Sequence, residues 1–478
     1  MRWLEHRSSK LSLIASALAL GACSFVLDFD GLQDGDAQAT GGTGGSSSGG
    51  SGGTAGVGGG TACGVCDDKD PCTKDTCDTS GDQPTCVFEP QQMVPDGMSV
   101  TQPLDNAYNI NLVSAGGKFY LSRFAREGGA DDLTLWTFGR SGDATTFKEG
   151  ARFSTLRKGT PLEPFEPASG AGLFALVENV TTNIYISLAV RDQANTDADV
   201  WILALDENFN LITEGAGQLS GALNKFAVPD LTRNPILWQT AGVVNVGWLT
   251  RLGAVFFPLD KSNRSYSMTA ANPQGIAGLD DGTNPGVLVV TNDAVRTQIA
   301  DGTPIIVPTC INDKTLPVTS AGSVRVVSNY WYTWWSRAQG NNAISDITSM
   351  GCGPGGCLAS TCGSDGRADS PGVRNPAFGV IQREIEPNVL NILGAIPNVS
   401  GAPELDLTFA RIQLEAGKPD PVVLASSSIV ITEAEGAPDD AKIAVSGEDK
   451  VAIAWIQRRS SGAALRVERY LMCYPDAQ

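Results

Sequence analysis

From about residue 91 to its end, the sequence predicts an all-β fold, and within that class a β-propeller. Short runs rich in Val, Ile, Leu, Phe, Tyr and Trp alternate there with turns of Gly, Asn, Asp, Ser and Pro. No long segment has helical periodicity, and the best helical candidate, QREIEPNVLNIL, is interrupted by Pro387. Residues 91–478 therefore form one predicted β domain.

A loose repeat within this domain suggests the number of blades. An apolar strand ends near an arginine, and a polar turn and a second apolar strand follow. The repeat occurs seven times, at Arg126, Arg191, Arg251, Arg296, Arg337, Arg411 and Arg458. A four-stranded blade needs about 40–50 residues, and insertions lengthen it. We expect seven blades, although six or eight also fit the spacing. A pair of β-sandwiches is the alternative fold.

The first 22 residues have the layout of an export signal. Basic residues precede a ten-residue apolar run, Leu11 to Leu20, which is too short to cross a bilayer as a helix. Leu20-Gly21-Ala22-Cys23 resembles the bacterial lipobox. The resemblance implies that residues 1–22 are removed and that Cys23 is acylated and anchors the chain in a membrane. Because Ser24 rather than Asp follows the cysteine, the resemblance implies the outer membrane, facing the periplasm or the cell surface.

Between the anchor and the β domain lie a tether and a cysteine-rich module. Residues 23–61 are dominated by Gly, Ser, Thr and Ala, a composition that predicts a disordered linker. Residues 62–90 hold five cysteines, and in an exported protein these are expected to form disulfides because thiols oxidise outside the cytosol. The run from Cys66 to Cys77 resembles the CxDxDxCTxDxC repeat of slime-mould and bacterial surface proteins. With the lipobox and tether, the chain resembles surface lipoproteins of the myxobacterial type.

The acidic residues of that repeat raise the question of a metal. Asp68, Asp70 and Asp75 alternate as calcium-loop ligands do, and they are the candidate Ca²⁺ ligands of the chain. The loop lacks the glycine and terminal glutamate of an EF-hand. Turn carboxylates beside disulfides are the favoured interpretation, and we expect no cofactor.

Cysteine parity predicts a bridge between the module and the β domain. Without Cys23, ten of the eleven cysteines remain, five in each part: Cys63, Cys66, Cys72, Cys77 and Cys86, then Cys310, Cys352, Cys357, Cys362 and Cys473. An odd set cannot pair within itself. We expect Cys352, Cys357 and Cys362 to hold one bridge and to offer the third cysteine to Cys310. Cys473 then pairs with the module, with Cys86 as the expected partner. Two buried free thiols are the alternative.

Composition excludes several classes of function. The net charge of −18 becomes −20 once residues 1–22, with their net +2, are removed, so nucleic acid is not an expected partner. The single histidine, His6, is removed with the signal. A mature chain without histidine has neither a Ser-His-Asp triad nor a His-ligated zinc site. Any catalysis must rest on carboxylates, Tyr, Lys or a hard cation.

Two stretches of the β domain are candidate binding elements. The densest aromatic run supplies the candidate glycan platform Tyr330, Tyr332, Trp334, Trp335 and Arg337, although core packing is the favoured interpretation. The insert CGPGGCLASTCGSDGRADSPG is predicted to be a loop, because it is rich in Gly and Pro, and a candidate binding rim.

Two function classes follow from the sequence. The favoured one is a non-enzymatic surface protein whose tethered propeller binds a glycan or a protein partner. The alternative is a carboxylate-dependent glycan hydrolase on the same scaffold. Buried Asp or Glu clustered at one end of the central channel favours the enzyme, whereas an apolar or weakly polar channel favours binding.

Overall fold

The structure is a computed structural model of the chain. The residues it describes are 66–80, 83–104, 107–127, 130–153, 165–178, 181–192, 198–210, 212, 223–228, 235–260, 264–307, 318–327, 330–339, 342–353, 356–364, 377–386, 388–398, 404–413, 422–432, 437–459 and 462–474. The predicted signal, Cys23, the tether, Cys63 and Cys310 lie outside the described residues.

The chain forms a two-stranded hairpin followed by seven four-stranded antiparallel sheets. The hairpin strands and the strand after them are β1 to β3, at Thr73–Asp78, Thr85–Pro90 and Met93–Leu104. Blade 1 holds β4 to β7, at Ala107–Ala115, Lys118–Glu127, Ala130–Gly139 and Lys148–Phe153. Blade 2 holds β8 to β11, at Phe165–Glu178, Thr181–Asp192, Ala198–Leu205 and Leu223–Val228. Blade 3 holds β12 to β15, at Ile236–Thr240, Val243–Thr250, Gly253–Pro258 and Tyr266–Thr269.

The remaining four blades repeat this order. Blade 4 holds β16 to β19, at Pro273–Asp280, Pro285–Thr291, Val295–Ile299 and Ile305–Val307. Blade 5 holds β20 to β23, at Val318–Val327, Tyr330–Gln339, Asn342–Gly353 and Gly356–Ser364. Blade 6 holds β24 to β27, at Ala377–Gln382, Val389–Asn398, Glu404–Gln413 and Val422–Thr432. Blade 7 holds β28 to β30, at Ala437–Ser446, Lys450–Arg459 and Gly462–Met472, and takes β3 as its fourth strand. One 3-10 turn, Ala144–Thr146, lies within blade 1.

The seven sheets close into a ring. The first strand of each blade contacts the first strand of the next, and β28 contacts β4. The closing blade combines both ends of the domain, because β3 pairs with β30 over Met93–Leu104. The predicted seven-bladed propeller is confirmed, and the β-sandwich alternative is wrong.

The strands have long apolar runs because each blade packs between two others. All seven residues of β17 are buried, as are residues 451–457 of β29. A strand covered on both faces needs apolar residues at successive positions, so alternation disappears. The outer strand β27 has only one covered face and alternates between half-buried and exposed residues over 424–431. The core is therefore a series of apolar layers between neighbouring blades.

The two ends of the ring differ in their turns. We call the end where each first strand begins the upper face; it also carries the turns between second and third strands. The lower face carries the turns between first and second strands. Six of the seven repeat arginines lie beside the upper-face turns, at the end of a second strand or the start of a third, and only Arg411 lies near the lower face, in β26.

Disulfides fix the hairpin to the lower face. Cys66 bonds to Cys86, and Cys72 bonds to Cys473, with a Cα–Cα distance of 5.5 Å in the second bridge. Cys77 is also disulfide-bonded. A bridge therefore joins the module to Cys473, but the prediction of Cys86 as its partner is wrong.

The path of the hairpin explains the correct pairing. The hairpin begins after Cys72 and ends before Gln91, and the two residues are adjacent because the Gln91 N–H donates to the Cys72 carbonyl at 2.7 Å. The next carbonyl, of Gln92, accepts from the N–H of Cys473 at 2.9 Å. Cys72 is therefore beside the C-terminal strand, although Cys86 is nearer to it in sequence.

The insert predicted to be a loop is largely strand. Cys352 ends β22 and Cys357 begins β23, and the two residues are register partners across the turn. Cys362 lies further along β23, so the insert prediction is wrong for residues 352–364. Both cysteine-bearing segments complete the outer half of blade 5, because β22 and β23 are its third and fourth strands.

Candidate functional site

A cavity of about 550 Å³ occupies the middle and lower part of the central channel. Its walls come from the first strands of blades 1 to 5 and one second strand. The lining residues are Val113, Leu173, Phe174, Ile236, Leu237, Trp238, Gln239, Ala241, Gly242, Ile276, Ala277, Gly278, Ala321, Gly322, Ser323 and Trp331. None of these described lining residues is charged. The volume lies in the range of ordinary ligand pockets.

Hydrogen bonds across blades fix the polar groups of this wall. The indole N–H of Trp238, in blade 3, donates to the Leu279 carbonyl at 2.9 Å. The indole N–H of Trp331, in blade 5, donates to the next carbonyl, of Asp280, at 3.1 Å. The Ser323 hydroxyl donates to the Gly278 carbonyl of the same strand, β16. These bonds occupy three carbonyls at the edge of blade 4 and leave Gln239 as the one polar side chain of the described lining that has no partner in blade 4.

The cavity reaches the lower face at the turn of blade 3. Ala241 and Gly242 form the two-residue turn between β12 and β13, with φ of 48° and 84°. Positive φ at both positions is the geometry of the tight hairpin turn that matches strand twist. Both turn residues are exposed, and nothing lies within 4 Å of a Cβ built on Gly242. The short turn leaves this end of the cavity uncovered by described residues.

The upper mouth of the channel has a different architecture. Five of the seven first strands carry a register shift near their start, at Ala107/Asn109, Pro167/Ala171, Pro273/Gly275, Val318/Ser320 and Asp439/Lys442. Bulges of this kind redirect side chains and are common beside functional sites. In blade 7 the bulge holds Asp440 at φ 49°, an uncommon conformation for a residue other than glycine.

Two buried carboxylates lie in that bulge. Asp439 and Asp440 are each 8% exposed. Asp439 accepts from Arg458 Nε at 2.6 Å, and Asp440 pairs with Lys442 and accepts the Ile110 N–H at 3.1 Å. The carboxylates belong to one strand and each has its own cation. Asp440 ties blade 7 to blade 1 through the Ile110 N–H, and the two carboxylates do not form an open pair drawn from two blades.

The two described side chains of the predicted aromatic platform, Trp334 and Trp335, pack against other residues of the propeller. In β21, Trp335 is 0% exposed and packs in the apolar layer between blades 4 and 5. Trp334 is half-buried and packs edge-on against Phe378 of blade 6, with ring centroids 5.4 Å apart. Trp335 is therefore not available to a ligand, and the core interpretation accounts for both tryptophans. The side chains of Tyr330, Tyr332 and Arg337 lie outside the described residues.

The carboxylates of the cysteine repeat are engaged within their own turn. The Thr73 hydroxyl lies 2.8 Å from Asp68 Oδ1 and 3.0 Å from Asp75 Oδ1. Asp70 accepts the N–H of Cys72 at 2.8 Å. Among the described residues, no group of three or more His, Cys, Asp or Glu side chains is placed to hold a metal ion. The spacing of this repeat is explained by hydrogen bonds that fold the loop around Cys72.

An ion pair between the buried Arg469 and the partly buried Asp96, which the sequence did not indicate, holds the closing blade. Arg469 of β30 is 1% exposed, and its Nε donates to Asp96 Oδ2 at 2.7 Å. Lys450 donates to the same oxygen at 2.8 Å. Burial alone raises the pKa of Asp96, but the hydrogen bonds from Lys450 and Arg469 outweigh it and hold the pKa below its ordinary value. No sequence signal links these residues, because 373 positions separate Arg469 from Asp96.

Within the described part of the chain, no helix is long and apolar enough to span a membrane. Neither a protein-family model nor a curated protein sequence matches the chain.

Three solved structures illustrate its likeness to known proteins. A protein of unknown function from Dyadobacter fermentans is 9% identical, with 80% of this chain and 100% of that chain covered and a TM-score of 0.43. The intramolecular trans-sialidase from Ruminococcus gnavus is 9% identical, with coverage of 77% and 96% and a TM-score of 0.40. The β-propeller domain of Nup133 from Vanderwaltozyma polyspora is 9% identical, with coverage of 75% and 100% and a TM-score of 0.36. The fold assignment rests on the blade topology itself.

Proposed function

We propose that this protein is an exported lipoprotein, anchored in the outer membrane through Cys23, whose propeller binds a glycan or protein partner without catalysis. The observation that carries the proposal is the neutral wall of the central cavity. Hydrolysis of a glycosidic bond needs two carboxylates on either side of the bond. The described cavity lining has none, and the two buried carboxylates at the upper mouth are each paired with a cation.

The upper face is the proposed partner surface. The hairpin is bonded to Cys473 at the lower face, so the chain preceding Cys66 joins the propeller on that side. An anchor at Cys23 therefore holds the molecule by its lower face. The upper face, with its bulged strands and arginine-bearing turns, is left open to a partner.

The anchor is tested by replacing Cys23 with Ser in the full chain. We expect the variant in the soluble fraction and the wild-type protein in the membrane fraction, released by detergent. A Cys23→Ser protein that stays membrane-bound through detergent-free washes contradicts the lipid anchor.

Binding is tested with the soluble Cys23→Ser protein on a glycan array and by crosslinking to the surface proteins of the producing cell. Substitutions on the upper face, such as Arg458→Ala, are compared with Lys118→Ala on the lower face. We expect saturable binding that the upper-face change weakens and the lower-face change leaves intact. Binding that is weakened only by lower-face substitutions contradicts the proposal that the upper face binds the partner.

The hydrolase alternative rests on Asp439 and Asp440, the buried carboxylates of the upper mouth. It predicts release of reducing sugar from a glycan and loss of that activity in Asp439→Asn and Asp440→Asn. A wild-type protein that turns over a glycan, with both variants folded and inactive, replaces the binding proposal with the enzyme.

A further inference from the structure

We infer that the central cavity is a binding site for a small, neutral and mainly apolar molecule. A ligand site in the cavity extends the binding function proposed above, and it rests on that proposal only in assuming that the propeller binds a ligand. The partner surface proposed there is at the upper face, whereas this site opens at the lower face.

The wall chemistry selects the ligand class. Apart from the indoles, Gln239 and Ser323 are the polar side chains of the described lining. Both indole N–H groups and the Ser323 hydroxyl already donate to carbonyls of β16. A charged ligand would lose its water here without gaining a side chain of opposite charge. An apolar ligand loses nothing by leaving water, and its burial is favourable.

One polar side chain of the described lining remains to orient a ligand. The side-chain amide of Gln239 has no hydrogen-bond partner among the described residues and is half-buried in the cavity wall. An amide both donates and accepts, so it suits a ligand with a single neutral polar group. Ligand pockets commonly combine apolar walls with a few polar groups of this kind.

The wall is also rigid enough to keep its shape. Trp238 packs directly over Gly278, where an added Cβ would lie 2.4 Å from the ring. Trp331 is held by its bond to Asp280 and by the apolar layer between blades 4 and 5. Since three blades fix these two rings, a ligand meets a preformed surface, and entry is through the exposed turn at Ala241.

The test uses two dyes that differ by one charge. N-phenylnaphthylamine is neutral and carries one N–H, and its sulfonated form has the same rings with a negative charge. We titrate each into the full-length Cys23→Ser protein and follow dye fluorescence. We expect one neutral dye per chain, bound at least about tenfold more tightly than the sulfonated dye, because the wall offers no partner for the charge.

Two variants locate the site. Ala321→Leu fills the cavity, and Gln239→Glu places a charge in its wall; each should weaken neutral-dye binding at least about tenfold. Ser426→Leu adds the same leucine on the exposed face of β27 and should bind as wild type. Unfolding midpoints and the Cys72–Cys473 peptide confirm that each variant is folded.

Three results would overturn the inference: no saturable dye binding, equal affinity for the two dyes, or wild-type affinity in both cavity variants. These failures leave the upper-face partner proposal intact. Conversely, hydrolysis of a glycan refutes the proposed function and leaves the cavity result standing.

Discussion

Replacing Arg469 with Met should destabilise the propeller strongly, because it removes the cation that joins the ring-closing strand to its neighbours. Arg469 is 1% exposed and donates to the side chain and carbonyl of Asp96 and to the carbonyls of Gly139 and Gly142. These bonds connect β30, β3 and blade 1. Methionine fills a similar volume but leaves the carbonyls without partners and the Asp96 carboxylate with Lys450 alone.

The expected loss is at least about 3 kcal/mol, because three carbonyls lose their donor and each such loss costs about 1–3 kcal/mol. Lys118→Met is the matched control, since its pair with Glu207 is 3.6 Å long and both side chains are nearly half exposed. That change should alter the free energy of unfolding by less than about 1 kcal/mol. Urea unfolding without reductant, followed by tryptophan fluorescence, measures both.

The pH dependence provides a second measurement of the same pair. The pKa of Asp96 is lowered, so its contribution to stability is present above the ordinary pKa of 3.8 and is lost as pH falls through the lower folded value. In Arg469→Met one of the two cations is absent, and the pKa should return toward 3.8. The acid slope of the unfolding free energy should therefore become shallower. A loss below about 1 kcal/mol with an unchanged acid slope would refute this account of Arg469.

Further predictions concern the bridge and the cavity wall. Replacing both Cys72 and Cys473 with Ser should lower stability by up to about 6 kcal/mol in the chain-entropy model, because the bridge closes a separation of 401 residues. Non-reducing peptide mapping of the wild type should yield the linked peptide, and its absence contradicts the pairing. Gly278→Ala should cost about 1–3 kcal/mol, since its Cβ would lie 2.4 Å from the Trp238 ring. The loss should shrink when Trp238→Ala is added, and additive losses would contradict the clash.

Local sequence predicted the architecture of the β domain, with a pair of β-sandwiches as the alternative. The inner strands of a blade are buried on both faces, so residues 451–457 of β29 form one apolar run, and the short length of that run favours a strand over a helix. The turns between strands are rich in Gly, Asn and Asp, and the spacing of the arginine-bearing repeat predicted seven blades, with six or eight also possible. The odd number of cysteines in each part predicted a bridge between them, and Cys473 supplies it.

The partners of individual side chains required the tertiary structure. Cys72 rather than Cys86 reaches Cys473, because the hairpin returns the chain to its own starting point, and distance along the sequence does not measure that. The role assigned to Trp335 depended on which face of β21 meets blade 4. No sequence pattern singles out Arg469, because its partner Asp96 comes beside it only when β3 closes the ring.

The sequence by itself predicted the all-β class and a ring of about seven blades, and it determined the acidic character of the chain. These properties depend on composition and local periodicity, which each segment carries alone. Only the tertiary structure decided where the cavity lies and that its described wall is neutral. It also decided that Asp439 and Asp440 are paired with Arg458 and Lys442. Those facts depend on contacts between blades that are far apart in the chain, and closing the ring is what brings them together.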